Sequence, residues 1–163
     1  MKKSKRIRMS KNSKIIYLFL TSVFFVLFNF YFSDYILNNG YLLTENPIFN
    51  ITYIQNRGAA FSIFDGYKIF LIGFSAAALG VLIFFAIKQI TKISVFGLFF
   101  TSLLLSGIFN NMSERLIFGY VRDYIKLNFV DFPVFNISDI FINIGVFGLI
   151  FIILKNNYFK KEE

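Results

Sequence analysis

Long uncharged, mostly apolar runs alternate along this chain with short segments where charges and amides collect. Lys14 and Asp34 bracket 19 uncharged residues, Lys68 and Lys88 another 19, and Lys92 and Glu114 enclose 21. A fourth run, Phe132 to Leu154, is 23 residues long with one charge in it, Asp139. A helix needs about 20 apolar residues to cross a hydrocarbon core of about 30 Å. The pattern therefore predicts spans at about 15–33, 69–87, 93–109 and 137–154, joined by outer connections 34–68 and 110–136. In the first connection Phe49, Ile51 and Tyr53 alternate with polar residues until the alternation slips at Ile54, the mark of a short half-exposed strand ending near Asn56. In the second, Leu116–Ile125 is too short and too charged to span, so it is expected along the outer surface or slightly re-entrant.

Composition narrows the class. Of the 163 residues 56% are hydrophobic and only 16% charged, with a mean hydropathy of +0.64, too little polar surface to cover a soluble core. The fold class is all-α polytopic membrane protein: four transmembrane helices, a small extracytoplasmic β-containing loop region and a short amphipathic surface helix, in a single membrane domain. The first run exceeds the usual 7–15 residues of a signal-peptide core and lacks a small-x-small site, so it is expected to stay as an anchor. Twelve of the 17 Lys and Arg residues lie in the N-terminal segment, the Lys88–Lys92 loop and the tail, which places both termini in the cytoplasm. The net charge of +8 is accordingly a topology signal and an attraction to anionic lipid, not a nucleic-acid footprint.

With no Cys, no His and no Trp, disulfides, thiol or histidine catalysis, Cys/His zinc sites and His-ligated haem are excluded. No metal or cofactor is expected. The chemistry that remains centres on acids at the membrane edge, where an ionisable group is costly and seldom kept without a partner or a role. Asp139, at the outer end of the fourth span, fits a functional acid or a helix cap favoured by the helix dipole. Asp123 fits a functional acid or a salt bridge to Lys126, three residues on. Two carboxyls sharing one site keep a proton between them and titrate as a unit, which suits an aspartic peptidase. The Asn56-Arg57-Gly58 turn and the small residues after it are, on residue types alone, explained more economically by a structural turn than by a functional loop.

Three blocks, in order, resemble the lipoprotein signal peptidases (signal peptidase II). They are Asn56-Arg57-Gly58-Ala59-Ala60-Phe61-Ser62; Asn111-Met112-Ser113-Glu114-Arg115 with Gly119-Tyr120-Val121-Arg122-Asp123-Tyr124; and Phe135-Asn136-Ile137-Ser138-Asp139. The resemblance implies that Asp123 and Asp139 are the catalytic pair of an intramembrane aspartic endopeptidase of the bacterial cytoplasmic (inner) membrane. It would cut diacylglyceryl-modified prolipoproteins just before the lipidated Cys, with an outer flap over the site and sensitivity to globomycin. The expected partners are lipid-modified prolipoproteins and membrane lipids, with no nucleic acid, and the chain is expected to be a monomer.

Supporting roles fall to Asn56, Gly58, Ser62, Asn111, Arg115 and Asn136. Asn136, three residues before Asp139, would share its helix face and hold a carboxyl or the substrate backbone. Arg115 would aim its donors at substrate carbonyls or at groups at the level of the lipid phosphates. The chain departs from the family pattern at Asn110, where Gly is usual, at Glu114 in place of Asp, and in the first span. There Asn29, Ser33 and Asp34 stand where an Asp followed by Ser or Thr and Lys is usual. Two alternatives follow from these features: an inactive relative that binds lipopeptides, and a small transporter in which Asp139 relays protons.

Overall fold

The structure, a computed structural model, describes residues 9–39, 47–59 and 63–160, with side chains described through Lys155. Its elements in chain order are α1 (Lys11–Asn39), β1 (Phe49–Asn56), α2 (Lys68–Lys88), α3 (Val95–Phe118), β2 (Val121–Leu127) and α4 (Ile137–Lys160). All four helices are long and apolar enough to cross a membrane, as the charge gaps predict. Their outward faces carry large bare apolar side chains, including Ile69, Phe96 and Phe147. Such faces would be untenable in water and are ordinary against lipid.

The helix at the centre is α3, which packs most extensively on α4, then on α1 and α2. Its inner side is small and polar where the outer side is aromatic. Gly97, Thr101, Ser102, Ser106 and Gly107 are all buried, and the Thr101 and Ser102 hydroxyls donate back to the Gly97 and Leu98 carbonyls at 2.8 and 2.9 Å. Ser102 also bonds Thr21 of α1 at 2.6 Å. In lipid, where no hydrophobic force drives helices together, small residues and internal hydroxyl bonds are what let backbones close up. At one end of the bundle the buried Lys14 donates to the carbonyls of Thr91 (3.0 Å) and Ile93 (2.5 Å), seating the start of α1 against the α2–α3 turn.

The two strands form an antiparallel ribbon at the other end. β1 has the bounds that the alternation predicts, and the slip in the alternation is a bulge. Ile51 opposes Ile125, but Ile54 opposes Asp123, so β1 spends one extra residue between the two pairs. β2 is bordered on its other side by Phe135, which exchanges backbone hydrogen bonds with Ile125 (2.8 and 3.1 Å) just before α4 begins.

Two expectations change. α3 does not stop near Phe109 but continues through Asn110–Arg115 to Phe118. Asn110, Ser113, Glu114 and Arg115 are buried inside the fold and Asn111 is half-buried, so the helix ends only at Gly119, whose φ of 89° few side chains tolerate. Leu116–Ile125 accordingly does not lie along the surface: it divides between the last turn of α3 and β2. No separate short amphipathic surface helix occurs among the described residues.

The close approach of α3 and α4 is testable. A Cβ on Gly107 would lie 2.5 Å from the Ser138 carbonyl oxygen, whereas one on Gly80 of α2 would meet nothing within 4 Å. Gly107→Ala is expected to lower stability by about 1–3 kcal/mol. Gly80→Ala should be stabilising by up to about 1 kcal/mol, as helix propensity requires. Thermal unfolding in detergent compares the two.

Candidate active site

The ribbon, the end of α3 and the start of α4 converge on two carboxyl groups. Asp123 sits in the middle of β2 and is 2% exposed, which makes it one of the most enclosed acids the chain could have. In an antiparallel pair, residues two apart on one strand share a face with the diagonal neighbours across it. Because of the bulge, the β1 residues on the Asp123 face are Ile54 and Asn56, and without it they would be Tyr53 and Gln55. Asn56 therefore reaches across and donates its Nδ2 to Asp123 Oδ2 at 2.9 Å. Lys126, three residues along the same strand, falls on the opposite face and is exposed, so the salt bridge considered for Asp123 does not form.

Asp139 belongs to the first turn of α4, but the cap itself is Asn136. Asn136 Oδ1 accepts the Asp139 N–H at 3.0 Å, and Asp139 Oδ2 accepts the Asn136 N–H at 3.1 Å, the reciprocal pairing of a capping box. Asn136 thus precedes the helix and does not share the helix face of Asp139 that the spacing suggests. That position frees its Nδ2 to point the other way, to Asp123 Oδ1 at 2.9 Å and to Asn111 Oδ1 at 3.1 Å. Asn111 closes the circuit by donating to Asp139 Oδ1 at 2.9 Å. Every oxygen of both carboxyls accepts an N–H from a neutral amide.

Both acids line one cavity of about 520 Å³, shared with Asn56, Asn111 and Arg115 and walled elsewhere by apolar side chains such as Phe132, Val134 and Ile144. Burial pushes the Asp123 carboxyl up from an ordinary 3.8 to about 7. The charge of Asp139 adds to that rise, while the bonds from Asn56 and Asn136 partly oppose it. Arg115 is the cation within reach of the cavity, yet its Nη2 is committed to the Gly58 carbonyl at 2.7 Å and its Nη1 to that of Asn111 at 3.3 Å. It ties the turn after β1 to α3. Gly58 in turn donates to Asn56 Oδ1 at 3.0 Å, fixing the amide that faces Asp123. Of the residues expected at the site, Asn56, Gly58, Asn111, Arg115, Asp123, Asn136 and Asp139 come together, and Ser62 lies outside the described residues.

The departures also find places. Glu114 accepts the backbone N–H of Arg122, the residue before Asp123, at 2.7 Å, and its side chain pairs with the Arg122 guanidinium at 2.7 and 2.9 Å. The longer arm of Glu spans α3 to β2. Arg122 then reaches Asp34 of α1 at 2.9 Å. Asn29 and Ser33, one turn apart on α1, hold the chain neighbours of the two acids: Asn29 donates to Ser138 Oγ at 2.8 Å, and Ser33 shares a 2.9 Å bond with the Tyr124 hydroxyl. Tyr124, wholly buried, was not singled out from the sequence. The signal that could have found this contact is two polar residues at helical spacing inside an apolar span.

Asp123 gives stability a definite pH dependence. Between about 4 and about 7 the folded chain keeps a proton there that the unfolded chain has lost, so this group makes stability fall as pH rises through that window. Asp123→Asn removes the effect. At pH 8 the variant is expected to be more stable than the parent by about 2 kcal/mol, after discounting the one amide bond that Asn cannot accept. The gap should close on acidification and reverse toward pH 4, where the proton no longer separates the folded from the unfolded chain and only the lost amide bond remains; equal stabilities at both pH values would contradict the assignment.

Comparison with known proteins places these features in a family. The family model described as signal peptidase (SPase) II matches residues 21–155. The lipoprotein signal peptidase of Streptococcus thermophilus (strain CNRZ 1066) is 38% identical over 108 residues, covering 66% of this chain and 70% of that protein. That of Fusobacterium nucleatum subsp. nucleatum is 32% identical over 155 residues, covering 91% and 90%. A solved bacterial membrane enzyme, determined by the in meso method at 2.3 Å resolution, superposes with a TM-score of 0.76 at 32% identity, over 90% of this chain and 92% of that one.

Proposed function

The chain belongs to the signal peptidase II family, and on that premise we propose that it is an aspartic endopeptidase that removes the signal peptide from diacylglyceryl-modified prolipoproteins, cutting before the lipidated Cys. The observation that carries the reading is the amide-bridged pair, Asp123 and Asp139, facing one cavity at the end of the bundle. Asp123, enclosed and pushed up to about 7, holds the single proton of the pair near neutrality. Asp139 takes a proton from a water molecule, whose oxygen attacks the scissile carbonyl carbon. Asp123 donates its proton to the carbonyl oxygen as charge develops there. Collapse of the tetrahedral intermediate returns a proton to the leaving nitrogen and breaks the C–N bond. No cofactor takes part.

The Lys and Arg distribution supports cytoplasmic termini and a site at the outer face of the bacterial inner membrane. A lipid-anchored substrate presents its cleavage point at that depth and reaches a monomeric enzyme laterally through the bilayer.

The test is cleavage of a diacylglyceryl-modified prolipoprotein by the purified full-length chain in lipid nanodiscs. The parent should cut it, and Asp123→Asn and Asp139→Asn should each lose about 10³-fold or more. Parent activity should fall on the alkaline side of about 7 as the pair loses its last proton. A parent that binds the substrate without cutting it, where another family member cuts, would point to an inactive relative.

A further inference from the structure

One polar side chain on the cavity wall has no part in the amide circuit. Asn143 lies one turn along α4 from Asp139 and lines the same cavity, between Ile140 and Ile144. It stands inside the segment long and apolar enough to cross a membrane, Ile137–Lys155, and its side chain is exposed. One Nδ2 hydrogen is directed at the Asp139 carbonyl at 2.9 Å, while Oδ1 accepts from no group among the described residues. An amide left open at that depth is costly, because lipid offers it no hydrogen bond.

A peptide drawn into the cavity has the complementary need. To be cut it must leave helical conformation near the reacting carbonyl, and each extended residue then exposes an N–H and a C=O that lipid cannot satisfy. An Asn side chain can meet one such unit completely, accepting the N–H at Oδ1 and donating its second Nδ2 hydrogen to the C=O. Four residues of helix carry the wall about 6 Å from Asp139. That is roughly the reach of two extended residues.

We propose that Asn143 is a substrate-binding residue that pairs with the main chain of the signal-peptide segment about two residues upstream of the cut. The assignment rests on the peptidase reading above. It makes Asn143 sequence-tolerant, since it reads main chain, and confines its effect to binding of the segment on the membrane side of the scissile bond.

Binding of a diacylglyceryl-modified prolipoprotein is measured on the full-length chain in nanodiscs, in an Asp123→Asn background that prevents cleavage. Asn143→Leu, close in size and apolar, is expected to bind about tenfold more weakly. Asn143→Gln should recover most of that loss, and the thermal stability of the Leu variant should be unchanged or higher. Equal affinity of the Leu variant and its background overturns the proposal, as does a loss of affinity that tracks a loss of stability and is not recovered by Gln. Cleavage by the parent is read separately. A parent that cuts while Asn143→Leu binds normally leaves the peptidase reading intact and removes only Asn143. A parent that binds without cutting removes the catalytic reading only, and one that does not bind removes both.

Discussion

Asn136 holds the two carboxyls of this protein in one place. Its side chain donates to Asp123 and its backbone and amide oxygen interlock with Asp139, so a single residue spans the gap between a strand and a helix. The physical demand behind this is severe. Two acids in an enclosed, mostly apolar site repel one another when ionised, and each alone would be expensive to bury. Cations would relieve the repulsion but would also strip the pair of its proton. Neutral amides from Asn56, Asn111 and Asn136 satisfy the oxygens and offset the effect of burial only in part, so burial still holds the Asp123 carboxyl up at about 7.

Much of the fold serves to bring those amides to their positions. Asn111 arrives because α3 continues as helix past the end of its apolar run, and Asn136 because Phe135 docks on the free edge of β2. Asn56 arrives because a bulge turns it onto the face of Asp123. Arg115 and Glu114, adjacent on α3, divide the remaining work. Arg115 fastens the turn that carries Gly58, and Glu114 fastens the backbone immediately before Asp123. From α1, Asn29 and Ser33 grip Ser138 and Tyr124, the immediate neighbours of the two acids. The departures at Glu114 and in α1 therefore fall on contacts that surround the pair and leave the pair itself intact, whereas Asn110 is buried with neither amide atom hydrogen-bonded among the described residues and has no structural explanation.

The same arrangement accounts for the asymmetry of the molecule. α3 is internal and lined with small and hydroxylated residues, while α1, α2 and α4 turn large apolar faces outward. The polar end of the bundle is thereby supported on one close-packed helix whose neighbours meet lipid. The cavity built there runs along the start of α4, where Asp139, Ile140, Asn143 and Ile144 form part of its wall.

Four apolar helices, a strand at Phe49–Asn56 and two acids able to meet at one end of the bundle were legible in the residues, because hydropathy, alternation and short motifs are local properties of a chain. The end of α3 was misread for the same reason. Asn110, Ser113, Glu114 and Arg115 look solvated when only their polarity is known, and they are buried once α1, α4 and the ribbon close over them. The slip in alternation at Ile54 was visible, but its meaning depended on which residue of β2 it opposed. The amide circuit could not be read at all: it joins residues from β1, α3, β2 and the cap of α4 whose spacing in the sequence bears no relation to their spacing in space. Sequence by itself determined that this chain lies in a membrane and which acids it offers for chemistry. Only the tertiary structure decided that they share one cavity and that the Asp123 carboxyl is pushed up, because both depend on strand register, helix contact and burial.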